Sequence, residues 1–313
     1  MSIPNRLSMA FLLMAWWIVI APAAAVEESV TDPTTNPAEQ SADESAKTVG
    51  NDATDGETEP LWEWRLATFA RYGESYPASE NSQFNIIPFP LPVYRGKFLR
   101  IGEDSQNPIR GRLIRTDRIK LDLAFDMNFP VDSADVDART GMPDLDFQVE
   151  VGPELEIEFA RNKVRGSWFI SPQLRPSFVF DSLVPSYQGL VFSPELIYKK
   201  KLQEGEGDIK VSLMPTLATA KYMDFFYTVD PMFATPTRPA YKADGGYLGT
   251  DLTARWKSAF KNNFAYVAGV RVSFYQGAAN KNSPLYTQET TFSVFGAFLW
   301  KFYESEARVP ATE

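Results

Sequence analysis

The chain of 313 residues contains no histidine and no cysteine. Without histidine there is no Ser-His or Asp-His machinery of the kind that activates a nucleophile, and no imidazole metal site. Without cysteine there are no disulfides, no thiolate zinc site and no lipoprotein-type signal. After the first twenty residues no apolar run approaches the roughly 18 needed for a membrane-crossing helix. No long stretch carries the 3.6-residue periodicity of an amphipathic helix either. The net charge of −9 is also unevenly spread. Residues 26–60 hold ten acidic side chains against one base, Lys47, so the remainder of the chain is close to neutral.

Four regions follow from what is present. Arg6 precedes the apolar run Met9–Ile20 and the small residues "APAAA". This is the layout of a secretory signal peptide over residues 1–25, with cleavage after Ala25. Residues 26–60, acidic and without an aromatic side chain, are expected to be a disordered acidic linker, because they cannot bury enough apolar surface to offset their ordering entropy. Residues 61–303 read as strand after strand, and 304–313 as a polar tail.

"IKLDLAFDMNF" (119–129) shows the pattern of that third region. Ile119, Leu121, Leu123, Phe125, Met127 and Phe129 alternate with Lys120, Asp122, Ala124, Asp126 and Asn128. A strand with one oily and one wet face results. "LWEWRLATFARY", "FQVEVGPELEIEF" and "GSWFISPQLRPSFVF" follow the same rule, the last placing Ser167, Ser171, Gln173, Arg175 and Ser177 opposite its apolar face. Strands are expected near 61–73, 85–95, 97–102, 109–116, 118–129, 147–160, 166–181, 189–203, 207–228, 246–259, 264–276 and 289–303. The links alternate between tight turns such as "RNKVRG" and "FKNN" and long loops, of which 130–146 and 229–245 are the longest. Twelve strands, with short turns at one rim, long loops at the other and aromatic girdles, describe an all-β transmembrane antiparallel barrel. Ten is the alternative count. Phe298, Trp300 and Phe302 alternate in the last strand. The oily face is then expected to meet the lipid of the outer membrane of a Gram-negative bacterium. Nothing in the sequence points to nucleic acid.

On the wet faces Arg110, Arg112, Arg118 and Lys120 are expected to point inward beside Glu150, Glu154, Glu156 and Glu158. These charges either line a selective pore or pair into a network that closes the lumen. Asp144 with Asp146, and the three glutamates 154, 156 and 158, have the spacing of paired carboxylates. Acidic loop residues are ordinarily solvated, so no catalytic residue is assigned, and no cofactor or metal is expected.

One loop and its flanks, "FPVDSADVDARTGMPDLDFQVEVGPEL" (129–155), resemble the MipA/OmpV family, the MltA-interacting proteins of the outer membrane. The resemblance rests on Arg139, Gly141, Met142, Pro143, Asp144 and Asp146, then Glu150-Val151-Gly152-Pro153. "IIPFPLPVYRGKF" and "NSPLY" match more loosely. Where such proteins often carry Tyr-x-Gly-Ser, this chain reads "YPAS", with Ala78 in place of glycine. The resemblance implies a non-enzymatic barrel that serves as a scaffold for a murein transglycosylase or synthase in the periplasm. Other members are described as porin-like, so a narrow channel for small solutes is the alternative. In the loop, Gly141 supplies a positive φ and Pro143 fixes a turn. Arg139 is expected to clamp Asp144 or Asp146, and recognition of a ligand or partner by the same residues is the alternative.

Overall fold

Alternating side chains become strands over nearly the whole chain that follows the acidic segment. The computed structural model describes residues 58–310, apart from 96–98, 105–106, 112–113, 117, 163, 183, 204–206 and 261–262. The expected signal peptide with Ala25, and nearly all of the expected acidic linker, lie outside the described residues.

After β1 (Thr58–Pro60) come β2 (Trp62–Glu74), β3 (Ser82–Arg95), β4 (Leu99–Asp104), β5 (Asn107–Gly111), β6 (Ile114–Arg115) and β7 (Ile119–Asn128). There follow β8 (Phe147–Asn162), β9 (Gly166–Phe180), β10 (Ser186–Lys201), β11 (Asp208–Ala218), β12 (Gly246–Phe260), β13 (Phe264–Phe274), β14 (Thr290–Glu304) and β15 (Arg308–Pro310). β2 to β14 form a single antiparallel sheet in the order β5-β4-β3-β2-β14-β13-β12-β11-β10-β9-β8-β7-β6. Every neighbour is the next strand in the chain, except where the first strand pairs with the last, Ala67 opposite Leu299 and Tyr72 opposite Val294. β5 lies alongside β7, so the two ends of this order come together. The result is an up-and-down barrel. β5 and β6 together stand in the place of the expected strand 109–116, which makes twelve strands.

Register fixes the two faces. Outward positions carry exposed Leu66, Ile170, Leu174, Leu196, Leu213 and Leu252. Near the short-turn rim, aromatic rings pair across neighbouring strands: Trp62 with Tyr94 (4.4 Å), Trp168 with Tyr198 (5.1 Å) and Trp256 with Tyr266 (5.1 Å). Toward the long-loop rim lie Tyr72, Phe84, Phe292 and the pair Phe178–Tyr187. From Trp168 to Phe178 along a tilted strand is about 25 Å, the height of an apolar band between two aromatic girdles. Among the described residues no helix is long and apolar enough to cross a membrane.

One expected strand is shorter than its sequence suggested. The run 207–228 is β11 only as far as Ala218, and Ala220–Tyr227 is the helix α1. Tyr222, Met223, Phe226 and Tyr227 are its buried residues. That i, i+1, i+4, i+5 spacing is a helical stripe, and period-two alternation would have left half of it in water.

Gly152 in β8 marks a close approach of backbones. A Cβ at this position would lie 2.0 Å from the carbonyl oxygen of Leu174 in β9. The glycine of "EVGPEL" is thus required for β8 and β9 to pack.

Candidate functional site

The long loops do not splay from their rim. They converge on a shared apolar cluster built from Tyr76 of the 75–81 loop, Val131, Val136 and Leu145 of the 129–146 loop, and Tyr222, Met223, Phe226 and Tyr227 of α1. Leu285 of the 275–289 loop completes it, and Met142 and Tyr286 pack against it. Ordering a loop residue costs about 1–2 kcal/mol. A fully buried large apolar side chain contributes about 1.5–3 kcal/mol, so this density of buried residues holds the loops as a cap.

Polar contacts stitch the loops together. Tyr76 OH donates to the Leu285 carbonyl (2.7 Å), Tyr227 OH to the Pro77 carbonyl (2.9 Å) and Ser283 Oγ to the Tyr227 carbonyl (2.7 Å). Arg238 sends Nη1 to the carbonyls of Ala138 (3.0 Å) and Thr140 (2.9 Å) and so ties the two longest loops. Burial pushes the Tyr76 phenol up to about 12 and raises those of Tyr222 and Tyr227.

Arg139 is at the centre of this cap and 3% exposed. Its Nε donates to Ser133 Oγ (3.2 Å), Nη2 to the Pro143 carbonyl (3.0 Å) and Nη1 to the Phe226 carbonyl (3.4 Å). The guanidinium also faces the Tyr76 ring at 5.8 Å. Burial lowers its pKa to about 10, against the attraction of Tyr76. The expected clamp onto a carboxylate is replaced by a shared partner: Asp144 Oδ1 accepts from the Ser133 amide (2.8 Å) while Arg139 holds the Ser133 hydroxyl. Carbonyls are sufficient acceptors here because the loop turns its own backbone inward. Gly141 has φ +81°, as its turn requires, and is exposed, as are Pro143, Asp144 and Asp146. Ala78 is the non-glycine residue with positive φ, +62°, among the described residues. It follows Pro77 in a tight turn closed by the Ser79 amide on the Tyr76 carbonyl (3.0 Å).

The cap reaches into the lumen through Tyr222, whose OH donates to Glu150 Oε1 (2.7 Å). Glu150 is bonded in turn by Arg175 Nε (3.0 Å), and Arg175 also bonds Gln173 and approaches Ser193 (3.4 Å). Deeper along β8, Glu154 accepts from Ser171 Oγ (2.6 Å) and Glu195 pairs with Lys210 (3.0 Å). Glu156 pairs with Lys120 (3.3 Å) and with Lys199. Glu158 pairs with Arg161 near the short-turn rim. Apart from Glu158–Arg161, which lies within β8, these contacts run along the wall between near-neighbour strands. Directly under the cap Gln148, Glu150 and Arg175 are buried, whereas Lys120 and Lys199 keep about a third of their side-chain exposure.

Of the inward bases expected from sequence, Lys120 meets Glu156. Arg118 is exposed and offers its carbonyl to the Glu158 amide (2.8 Å). Arg112 and the side chain of Arg110 lie outside the described residues. Besides Lys120 of β7, the bases that serve Glu150, Glu156 and Glu195 come from β9, β10 and β11. Arg175 was visible on the wet face of its strand, but its partner depends on register. Among the described residues no group of acidic side chains is arranged to hold a metal ion.

The profile of the family described as MltA-interacting protein MipA matches residues 66–302. A comparison with curated protein sequences finds no match. Among solved structures, the translocator domain of the autotransporter NalP from Neisseria meningitidis is similar at 10% identity and a TM-score of 0.41, covering 80% of this chain and 91% of that one. OmpT of Vibrio cholerae, an outer membrane protein, is similar at 11% identity and a TM-score of 0.31, covering 82% and 100%.

Proposed function

The chain belongs to the MltA-interacting protein MipA family of outer-membrane β-barrel proteins, and on that premise we propose that it is a non-enzymatic, non-conducting scaffold that holds a murein transglycosylase or synthase at the outer membrane. The observation that supports this reading is the cap. A pore needs a continuous wet path, and here the long-loop mouth is filled by buried Phe226, Tyr227, Met223 and Leu285 over a buried Glu150–Arg175 pair. On this reading the lumen is closed at the long-loop rim. The competing reading, a narrow channel for small solutes, needs this cap to open.

The topology supports a division of surfaces. An even strand count puts both ends of the barrel chain at the short-turn rim. With an exported chain entering from the periplasm, that rim and the acidic segment 26–60 face the murein. The exposed Arg161 and Arg165 lie at the "RNKVRG" turn of that rim, and Lys163 of this turn and Lys261 of "FKNN" lie outside the described residues. Charge attraction at such positions is modest and salt-screened. The 129–146 loop then faces outward and braces the mouth.

Two measurements on the full-length protein test the proposal. Planar-bilayer recordings are expected to be silent, and reproducible ion-selective steps would refute the closed barrel. A pull-down with a murein transglycosylase is expected to weaken when 26–60 is deleted and the turn bases are replaced, and to survive Arg139→Ala. Loss of binding in Arg139→Ala with the tail deletion intact would overturn the orientation.

A further inference from the structure

Beneath the cap, among the described residues, the lumen carries one carboxylate more than it has bases to pair. On one wall Asp126 of β7 stands opposite Glu150 of β8. A single guanidinium, that of Arg175 in β9, serves both. It bonds Glu150 through Nε (3.0 Å) and approaches Asp126 Oδ2 no closer than 3.9 Å. On the other side the charges pair one to one. Arg71 holds Glu74 Oε1 (2.9 Å) at the end of β2, and Arg271 of β13 faces Asp251 of β12 (3.6 Å). Four carboxylates thus meet three guanidiniums, and the surplus negative charge sits at Asp126.

Asp126 looks into open lumen. Its contact with Arg175 places it on the inner face, yet it keeps 43% of its side-chain exposure, and Arg271 keeps 31%. With β5 and β6 counted as one strand, β7 and β13 are six places apart in the ring of twelve, hence on opposite walls. Asp126 and Glu74 both act electrostatically on Arg271 and Asp251, so these side chains surround one space. Glu74 is 7% exposed, and its Oε2 has no hydrogen-bond donor among the described residues. A buried carboxylate oxygen is costly to leave without a donor.

The chemistry of an occupant follows from these two groups. It brings positive charge, for the surplus at Asp126, and N–H donors, for Asp126 Oδ2 and Glu74 Oε2. A bare metal ion does not fit, because the carboxylates are spread over β2, β7, β8 and β12 and are not grouped to hold one. Walls of low dielectric with one net sign concentrate a cation between them.

We propose that the lumen beneath the cap is a binding site for a small protonated amine, its ammonium held between Asp126 and Glu74. The site is independent of whether the barrel serves murein enzymes.

The test is thermal unfolding of the full-length protein in detergent micelles, followed by loss of the heat-modifiable band on electrophoresis, with increasing 1,4-diaminobutane. A ligand that binds the folded lumen raises the unfolding temperature. The fully methylated, bis-quaternary analogue has the same charges and chain without N–H donors, and it controls for general attraction to the acidic segment 26–60. A saturable rise of several degrees with the diamine, absent with the analogue, is the expected result. Asp126→Asn and Glu74→Gln are each expected to lose more than half of that rise. No rise, an equal rise with the analogue, or an undiminished rise in either variant would overturn the proposal. If Asp126→Asn does not fold, Glu74→Gln and the comparison of the two amines on the parent protein decide the matter.

Discussion

Replacing Arg139 by alanine removes the donor that ties the 129–146 loop to α1. Two of its three bonds are well formed, to the Pro143 carbonyl (3.0 Å) and Ser133 Oγ (3.2 Å), and the third, to the Phe226 carbonyl, is long at 3.4 Å. Hydrogen bonds from a charged donor contribute about 1.5–3 kcal/mol each and are not additive. The substitution also leaves a cavity among side chains that are nearly all buried. Against this stands the cost of burying the guanidinium. Lowering its pKa from 12.5 to about 10 corresponds to roughly 3 kcal/mol against the charged form. Arg139→Ala loses the bonds and the volume, and is expected to destabilise the cap by about 3 kcal/mol. Arg139→Met keeps most of the volume and avoids the desolvation, and is expected to cost less than half as much. The readout is local hydrogen exchange at the amides of Val131, Asp135, Met142 and Leu145, which bond within the loop. At 1.4 kcal/mol per tenfold change, Arg139→Ala should speed exchange there by about two orders of magnitude while β9 and β10 stay protected. Rates within about threefold of the parent, or Arg139→Met as damaging as Arg139→Ala, would refute this account of what holds the cap.

Three further outcomes are expected. The cap should open before the barrel as pH rises above 10: the folded state retains the phenol protons of Tyr76, Tyr222 and Tyr227 that the unfolded loops release near 10, so their contribution falls with pH, and the opposite gain from Arg139 is a single group against three; tyrosinate absorbance and loop exchange should change together, and independent titration of the tyrosines near 10 would contradict it. Ala78→Gly should stabilise the cap by up to about 1 kcal/mol, because an L-residue held at positive φ costs about 1–2 kcal/mol and glycine's greater chain entropy returns part of that; a lower protection factor at Thr287, whose amide bonds the Ala78 carbonyl (2.9 Å), would contradict it. Gly152→Ala should cost several kcal/mol, since its Cβ meets the Leu174 carbonyl, and should abolish the heat-modifiable band of folded barrel on electrophoresis.

The barrel was legible in the sequence because its code is local. Period-two alternation assigns each strand and face, and loop lengths assign the rims. α1 was not legible. Its two turns continue directly from the alternating Leu213 and Leu217 of β11, and Tyr222, Phe225 and Phe226 have strand propensity of their own. The helix exists because the other loops supply a surface for its buried stripe. The same holds at Arg139. The sequence marks it as the centre of a motif, but besides the Ser133 hydroxyl its acceptors are carbonyls from Pro143 and from Phe226, 87 positions away, and no residue type advertises a carbonyl. In the lumen, Glu150 and Arg175 each read as inward, and only register brings them together. At Ala78 the departure from glycine was visible, and the structure gives it a physical meaning as a strained turn.

The barrel is sealed by its first and last strands, Ala67 against Leu299, which are 232 positions apart in the chain. That seam closes only after the final strand has been delivered, so closure cannot begin on a nascent chain. The cap draws on loops that leave β2, β7, β11 and β13, and these loops meet only once the ring has closed. A formed cap is therefore a certificate of complete assembly. Any molecule that binds the cap's outer surface would distinguish a finished barrel from one stalled in transit, although no single loop carries that information.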